Sequence, residues 1–357
     1  MAIAAFALSK PAAAQDQVSM QVGGATVSVG AGTAILILPD VNFTLVEDNS
    51  FSTTSKQKNS DISDEYGWNI SGSVEVPTSR ERNAIAVQGF FSRIEGDDSV
   101  VCDGVNGAVR CGWGPLIANG AIGPGKVGFA NGDDTTVQTS RDVDHWGVAA
   151  ELKCYQQGGG LKDPNPADRR RYTAFGLVFR EIGQDMAVRG VHVQNPADIL
   201  RYDENLETHY YGAYLAYGGD YSPFLFRGLW SRLGLQSSFR LRGGVYYAET
   251  DYGGNYFDIL GGTPQAQTLS ISRNNAAFIG RLSVETRKKI GARMVLSLKS
   301  VYEYYSYVPD MTYNDVDVGA PGFDNRTRIG NDDAFSARTS LRLTIKLDPR
   351  EIMEPYK

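Results

Sequence analysis

The sequence predicts an all-β protein, a transmembrane antiparallel β-barrel of about ten to twelve strands with long loops on one side. Three observations carry that expectation. From about residue 66 onward, apolar and polar residues alternate for some ten positions at a time before Gly, Asn, Asp or Pro breaks the run. A period of two over such a length is a strand signal. The runs are also longer than the roughly five or six residues usual in globular sheets, and the links between them alternate between long and short, as they do when a chain is threaded up and down through a bilayer.

Composition removes the competing classes. With 19 Tyr, 15 Phe and 4 Trp the chain has too much apolar surface to stay disordered. Its 3 Cys exclude a disulfide scaffold. The longest apolar run, Met1 to Leu8, falls far short of the roughly 20 residues that a spanning helix requires. A net charge of -6 argues against a general nucleic-acid binder.

The elements follow in chain order. Met1 to Leu8, then Ala12, Ala13 and Ala14, read as a signal peptide over residues 1–14, although the basic residues that should precede it are missing. Export leads to a compartment where disulfides persist. Cys102 and Cys111, in a Gly- and Asp-rich segment, are expected to form a loop disulfide, which leaves Cys154 as a free buried thiol. Residues 15–347 make a single barrel domain and 348–357 a polar tail.

Ten strands are expected near 35–48, 66–76, 83–94, 145–155, 172–182, 206–217, 236–250, 275–287, 292–307 and 334–347, with 20–30 and 186–193 as two further candidates. The last is the clearest: Phe335, Ala337, Leu341, Leu343, Ile345 and Leu347 alternate with Ser336, Arg338, Ser340, Arg342, Thr344 and Lys346. The links 49–65, 95–144, 183–205, 251–274 and 308–333 then fall on one side and are rich in Asp, Asn and Gly. The links 77–82, 156–171, 218–235 and 288–291 fall on the other, with a short amphipathic helix over Ser222 to Gly234. Tyr210, Tyr211, Tyr214, Tyr217, Tyr246, Tyr247, Tyr302, Tyr304, Tyr305 and Tyr307 cluster at strand ends, where a phenol with an apolar body and a wet tip suits a membrane interface.

On strands such as SARTSLRLTIKL, aromatic ends such as VYEYYSYVP and the loop asymmetry, the chain resembles porin-like outer-membrane β-barrel proteins of Gram-negative bacteria over roughly residues 30–347. The resemblance implies the bacterial outer membrane, contact with its lipid and lipopolysaccharide, and passage of small solutes. One departure is the polar tail Asp348 to Lys357, where such proteins close on an aromatic strand end.

If the apolar faces meet lipid, the opposite faces line a lumen. That turns inward Lys153, Arg180, Arg240, Arg242, Arg281, Arg287, Arg293, Lys299, Arg338, Arg342 and Lys346, against Glu75, Glu151, Glu285 and Glu303. A lumen this basic favours anions, because low-dielectric walls focus its field on whatever enters. The expected function is a passive channel for small hydrophilic solutes, anions among them. The alternative is a structural or adhesive barrel whose side chains plug the lumen and whose loops, the segment 95–144 above all, bind a partner. An outer-membrane hydrolase is the weakest reading: His145 beside Asp142 and Asp144, and His209, are the only residues that suggest one. No enzyme, cofactor or metal site is expected. The pairs Asp97/Asp98, Asp133/Asp134, Asp315/Asp317 and Asp332/Asp333 and the cluster Arg169 to Arg171 read as solvated loop and rim charges. No phosphate-loop spacing occurs.

Overall fold

The computed structural model describes residues 24–39, 44–49, 56–59, 64–78, 83–102, 109–113, 127–128, 135–156, 171–192, 199–221, 227–260, 263–312 and 328–347. The proposed signal and tail, the paired acids Asp133/Asp134 and Asp315/Asp317, Arg169 and Arg170, and the side chains of Cys102 and Cys111 lie outside them.

Ten strands close into one barrel: β1 (Thr26–Ile37), β2 (Asp64–Pro77), β3 (Asn83–Cys102), β4 (Thr135–Tyr155), β5 (Arg171–His192), β6 (Ile199–Tyr221), β7 (Leu235–Leu260), β8 (Thr263–Lys289), β9 (Met294–Val308) and β10 (Asp332–Lys346). Each is antiparallel to its neighbours in sequence. The ring shuts where β1 pairs with both β10 and β2, with Val29 opposite Leu343 on one side and Gly72 on the other. In lipid no backbone N–H or C=O can be left to water, so a spanning sheet must close on itself.

Thr26 and Lys346 lie at one rim, with the links 78–82, 156–170 and 290–293 and the helix α1 (Arg227–Leu233) between β6 and β7. This turn rim is the periplasmic one by the rule of short periplasmic connections. Gly234 ends α1 with φ +65, the left-handed conformation that suits glycine after a helix. Trp230 Nε1 donates to Ser237 Oγ at 2.8 Å and ties the helix to the foot of β7.

Outward and inward residues differ as lipid demands. On β7, Val245 is 71% exposed and its neighbour Tyr246 only 3%. Leu215, Leu241, Phe278, Leu298 and Leu341 continue the apolar belt. Outward aromatics edge it: Trp68 with Phe91, and Trp146, Phe179 and Tyr211, toward the loop rim, and Tyr217, Tyr221 and Phe239 toward the turn rim. A closed antiparallel barrel with such a belt is an outer-membrane protein.

The first strand departs from expectation. It occupies Thr26–Ile37 rather than 35–48, and takes in much of the optional 20–30 segment. Its outward face carries Val29 and Ile37, but Ala34, Leu36 and Leu38 point into the barrel and the rest of the inward face is Ser28, Gly30 and Gly32, so the two faces hardly differ in polarity. Thr44–Asn49 instead joins Lys56–Asn59, Val109–Trp113 and Val127–Gly128 in a separate four-stranded sheet. Residues 186–192 of the optional segment 186–193 form the upper end of β5, and most of the expected loops 183–205 and 251–274 is strand. Past the membrane a strand has no lipid to face, so its alternation fades and its Asp, Asn and Gly pass for loop. β7 and β8 run for 26 and 27 residues, where about ten suffice to cross a bilayer.

Candidate functional site: the barrel interior

Parity along each strand decides which charges enter the barrel. Lys153, Arg180, Arg240, Arg242, Arg281, Arg287, Lys299, Arg338 and Arg342 occupy inward positions, as do Glu75, Glu151, Glu285 and Glu303. Two expected residues lie at the turn rim and not within the lumen, although Lys346 keeps the inward parity. Arg293 sits exposed in the four-residue turn before β9, because the chain reverses there and no strand parity applies. Lys346 ends β10 and is exposed at the turn rim.

The upper layer centres on Glu303. Arg180 Nη2 donates to it at 2.6 Å, Arg338 pairs with its other oxygen, and Arg281 stands 3.6 Å away. Arg180 also donates to Tyr305 at 2.6 Å, and Tyr305 is hydrogen-bonded to His145 at 2.8 Å. The Arg338 guanidinium lies 3.5 Å from the centre of the Phe90 ring. These bonds span the lumen: β4 and β9, which bring His145 to Tyr305, stand opposite each other in the ring of ten. Gly147 makes room for the layer, since a Cβ there would stand 2.9 Å from Arg180 Cγ.

Toward the loop rim Leu36, Ile94, Val143 and Ile182 cap this layer with buried apolar surface. Toward the turn rim a second network forms around Glu151, which accepts from Tyr214 at 2.8 Å and pairs with Arg240. Lys153 pairs with Glu75, which also accepts from Tyr155 at 2.6 Å, and Arg287 pairs with Asp220.

Between the layers a small chamber remains, with about 30 Å³ of room for the centre of a water-sized molecule. Its lining on β4 and β5 includes Gly147, Ala149 and Val178, small side chains that hollow out the wall; Arg180, Arg242, Arg281, Lys299 and Arg342 supply its charge, and no carboxylate lines it.

The tyrosines divide. Tyr211, Tyr217, Tyr247, Tyr302 and Tyr304 face outward, whereas Tyr210, Tyr214, Tyr246, Tyr305 and Tyr307 are buried inside and belong to the polar core. Reading all of them as an interfacial girdle overlooked their parity: Tyr246 lies in register with Arg240 and Arg242, and Tyr305 with Lys299 and Glu303. Cys154 is free, as expected, but exposed on the lipid-facing parity at the turn rim and not buried.

The two histidines named for a hydrolase lie on opposite faces of the wall. His145 is sealed between Phe90 and Tyr305. His209 lies outside the barrel, 3.2 Å from Glu181 and stacked on Phe179.

No family model and no curated protein matches the sequence. Among solved structures the chain is similar to the outer membrane protease OmpT from Escherichia coli, with TM-score 0.44, 10% identity, 93% of this chain and 99% of that one covered. A Pseudomonas aeruginosa FadL homologue matches with TM-score 0.25 and 8% identity, covering 91% of each chain. An anion-selective porin from Comamonas acidovorans matches with TM-score 0.12 and 9% identity, covering 92% of this chain and 100% of that one. Likenesses this distant say nothing about activity.

Proposed function

We propose that this outer-membrane barrel is closed to free diffusion and acts as a structural, contact-making protein through the part that rises beyond the membrane. One observation carries the reading: hydrogen bonds and an ion pair cross the lumen from β4, β5 and β6 to β9, beneath an apolar cap. Water and ions would have to break buried charge pairs to pass. The same reading has no catalytic step and uses His145 as a core residue.

Reconstitution in planar bilayers tests it. The folded protein is expected to give no steady unit conductance above the bare membrane. Sustained open-channel currents would overturn the closed reading and restore the passive channel, which the basic chamber also favours. In that case the reversal potential under a KCl gradient should show chloride more permeant than potassium.

A further inference from the structure

We propose that the interior chamber is a binding site for a compact oxoanion of phosphate size. Its five cations outnumber the carboxylates that reach them. Glu303 alone serves Arg180 and Arg281, and it must also serve Arg338. Arg242 bonds the neutral Tyr246 hydroxyl at 2.9 Å and lies over the Tyr214 ring; Arg342 bonds the neutral Ser73 hydroxyl at 2.9 Å. Lys299 stands opposite Glu285 across the β8–β9 ladder, yet no ion pair joins them among the described residues.

Donors are left over as well as charge. The Nε atoms of Arg180, Arg242, Arg281 and Arg342 and the Nε2 of Gln88 are buried without a hydrogen-bond partner, and all five residues line the chamber. Arg180 and Arg242 are 0% and 2% exposed. Buried groups of this kind are ordinarily paired, because an unmet donor or charge forfeits its hydration with nothing in return. Converging guanidiniums around empty volume match an anion with several acceptor oxygens, which can meet more of these N–H groups at once than a single chloride can.

The experiment uses the full chain folded in detergent, with sodium phosphate added either during folding or afterwards, and sodium chloride at equal ionic strength as control. Phosphate is expected to raise the unfolding temperature where chloride does not, and calorimetric titration to give saturable binding. Lys299→Gln and Arg342→Gln, neither of which touches the Glu303 cluster, should each weaken phosphate by about tenfold or more, the effect of losing one charge-assisted contact. Without phosphate both variants should still fold, since neither residue makes a direct ion pair among the described residues, although each removes one of the cations that face Glu285. Equal effects of phosphate and chloride would mean that water alone fills the chamber and would overturn the proposal. Undiminished binding in both variants would place the anion elsewhere and overturn it too. If either variant fails to fold, the other decides; if both fail, saturable phosphate binding to the parent, tested against chloride, decides alone. None of these outcomes depends on whether the barrel conducts.

Discussion

Glu303 is the residue on which the interior turns. It is fully buried and holds Arg180 and Arg338 with Arg281 nearby, so removing its charge leaves guanidiniums buried without a counter-ion. Breaking one side of a buried pair costs about 3 to 5 kcal/mol. Glu303→Gln should lose about that much in urea unfolding from vesicles, while Lys153→Met at the wetter turn rim should lose less. That Glu303 and Arg180 face the lumen could be read from alternation alone. That they meet could not, because the two are 123 positions apart and parity gives a face without a height. Tyr305 was legible in the same way, through its register with Glu303, but an aromatic at a strand end has two physical uses and composition does not choose between them.

At the scale of the strand, the belt makes a directional prediction on β10. Leu341 is 56% exposed to lipid and Arg342 7% exposed inside. Arginine on the lipid face near the midplane costs about 2 to 4 kcal/mol, so Leu341→Arg should impair folding into vesicles, scored by the gel shift between unheated and boiled protein. Arg342→Leu should not. Strands β2 to β10 were legible where both faces meet different solvents, but their upper halves were not, since beyond the bilayer the outer face is wet and no polarity contrast remains. There Asp203 lies between Arg189, 2.5 Å away, and Arg201, 2.7 Å away. Partial burial pushes its pKa up, but the hydrogen bonds from the two guanidiniums outweigh this and hold it below the ordinary carboxylate value. Its contribution is therefore present at neutral pH and lost as acid protonates it. Protection of the amides at the tips of β5 and β6, corrected for the intrinsic exchange rate at each pH, should fall on acidification past that point, more than in Asp203→Asn measured over the same range.

For the molecule as a whole, the strands end at different heights. β3 to β8 continue well past the belt, whereas β1, β2, β9 and β10 stop near its edge. Among the described residues, a ten-strand ring thus gives way to a wall of six barrel strands outside the membrane. The fold class and strand count were legible in the sequence, but this lopsidedness was not, because it resides in the segments that read as loop. Its consequence is one of direction. A cylinder with an even rim offers the same aspect to every neighbour in the plane of the membrane. A wall that rises along one arc has a front and a back, so whatever approaches along the surface meets either the convex side or the low side, depending on how the protein has turned about the membrane normal. Contacts with this protein should then fix its azimuth as well as its position, and an assembly built on it would inherit a polarity that the membrane itself does not supply.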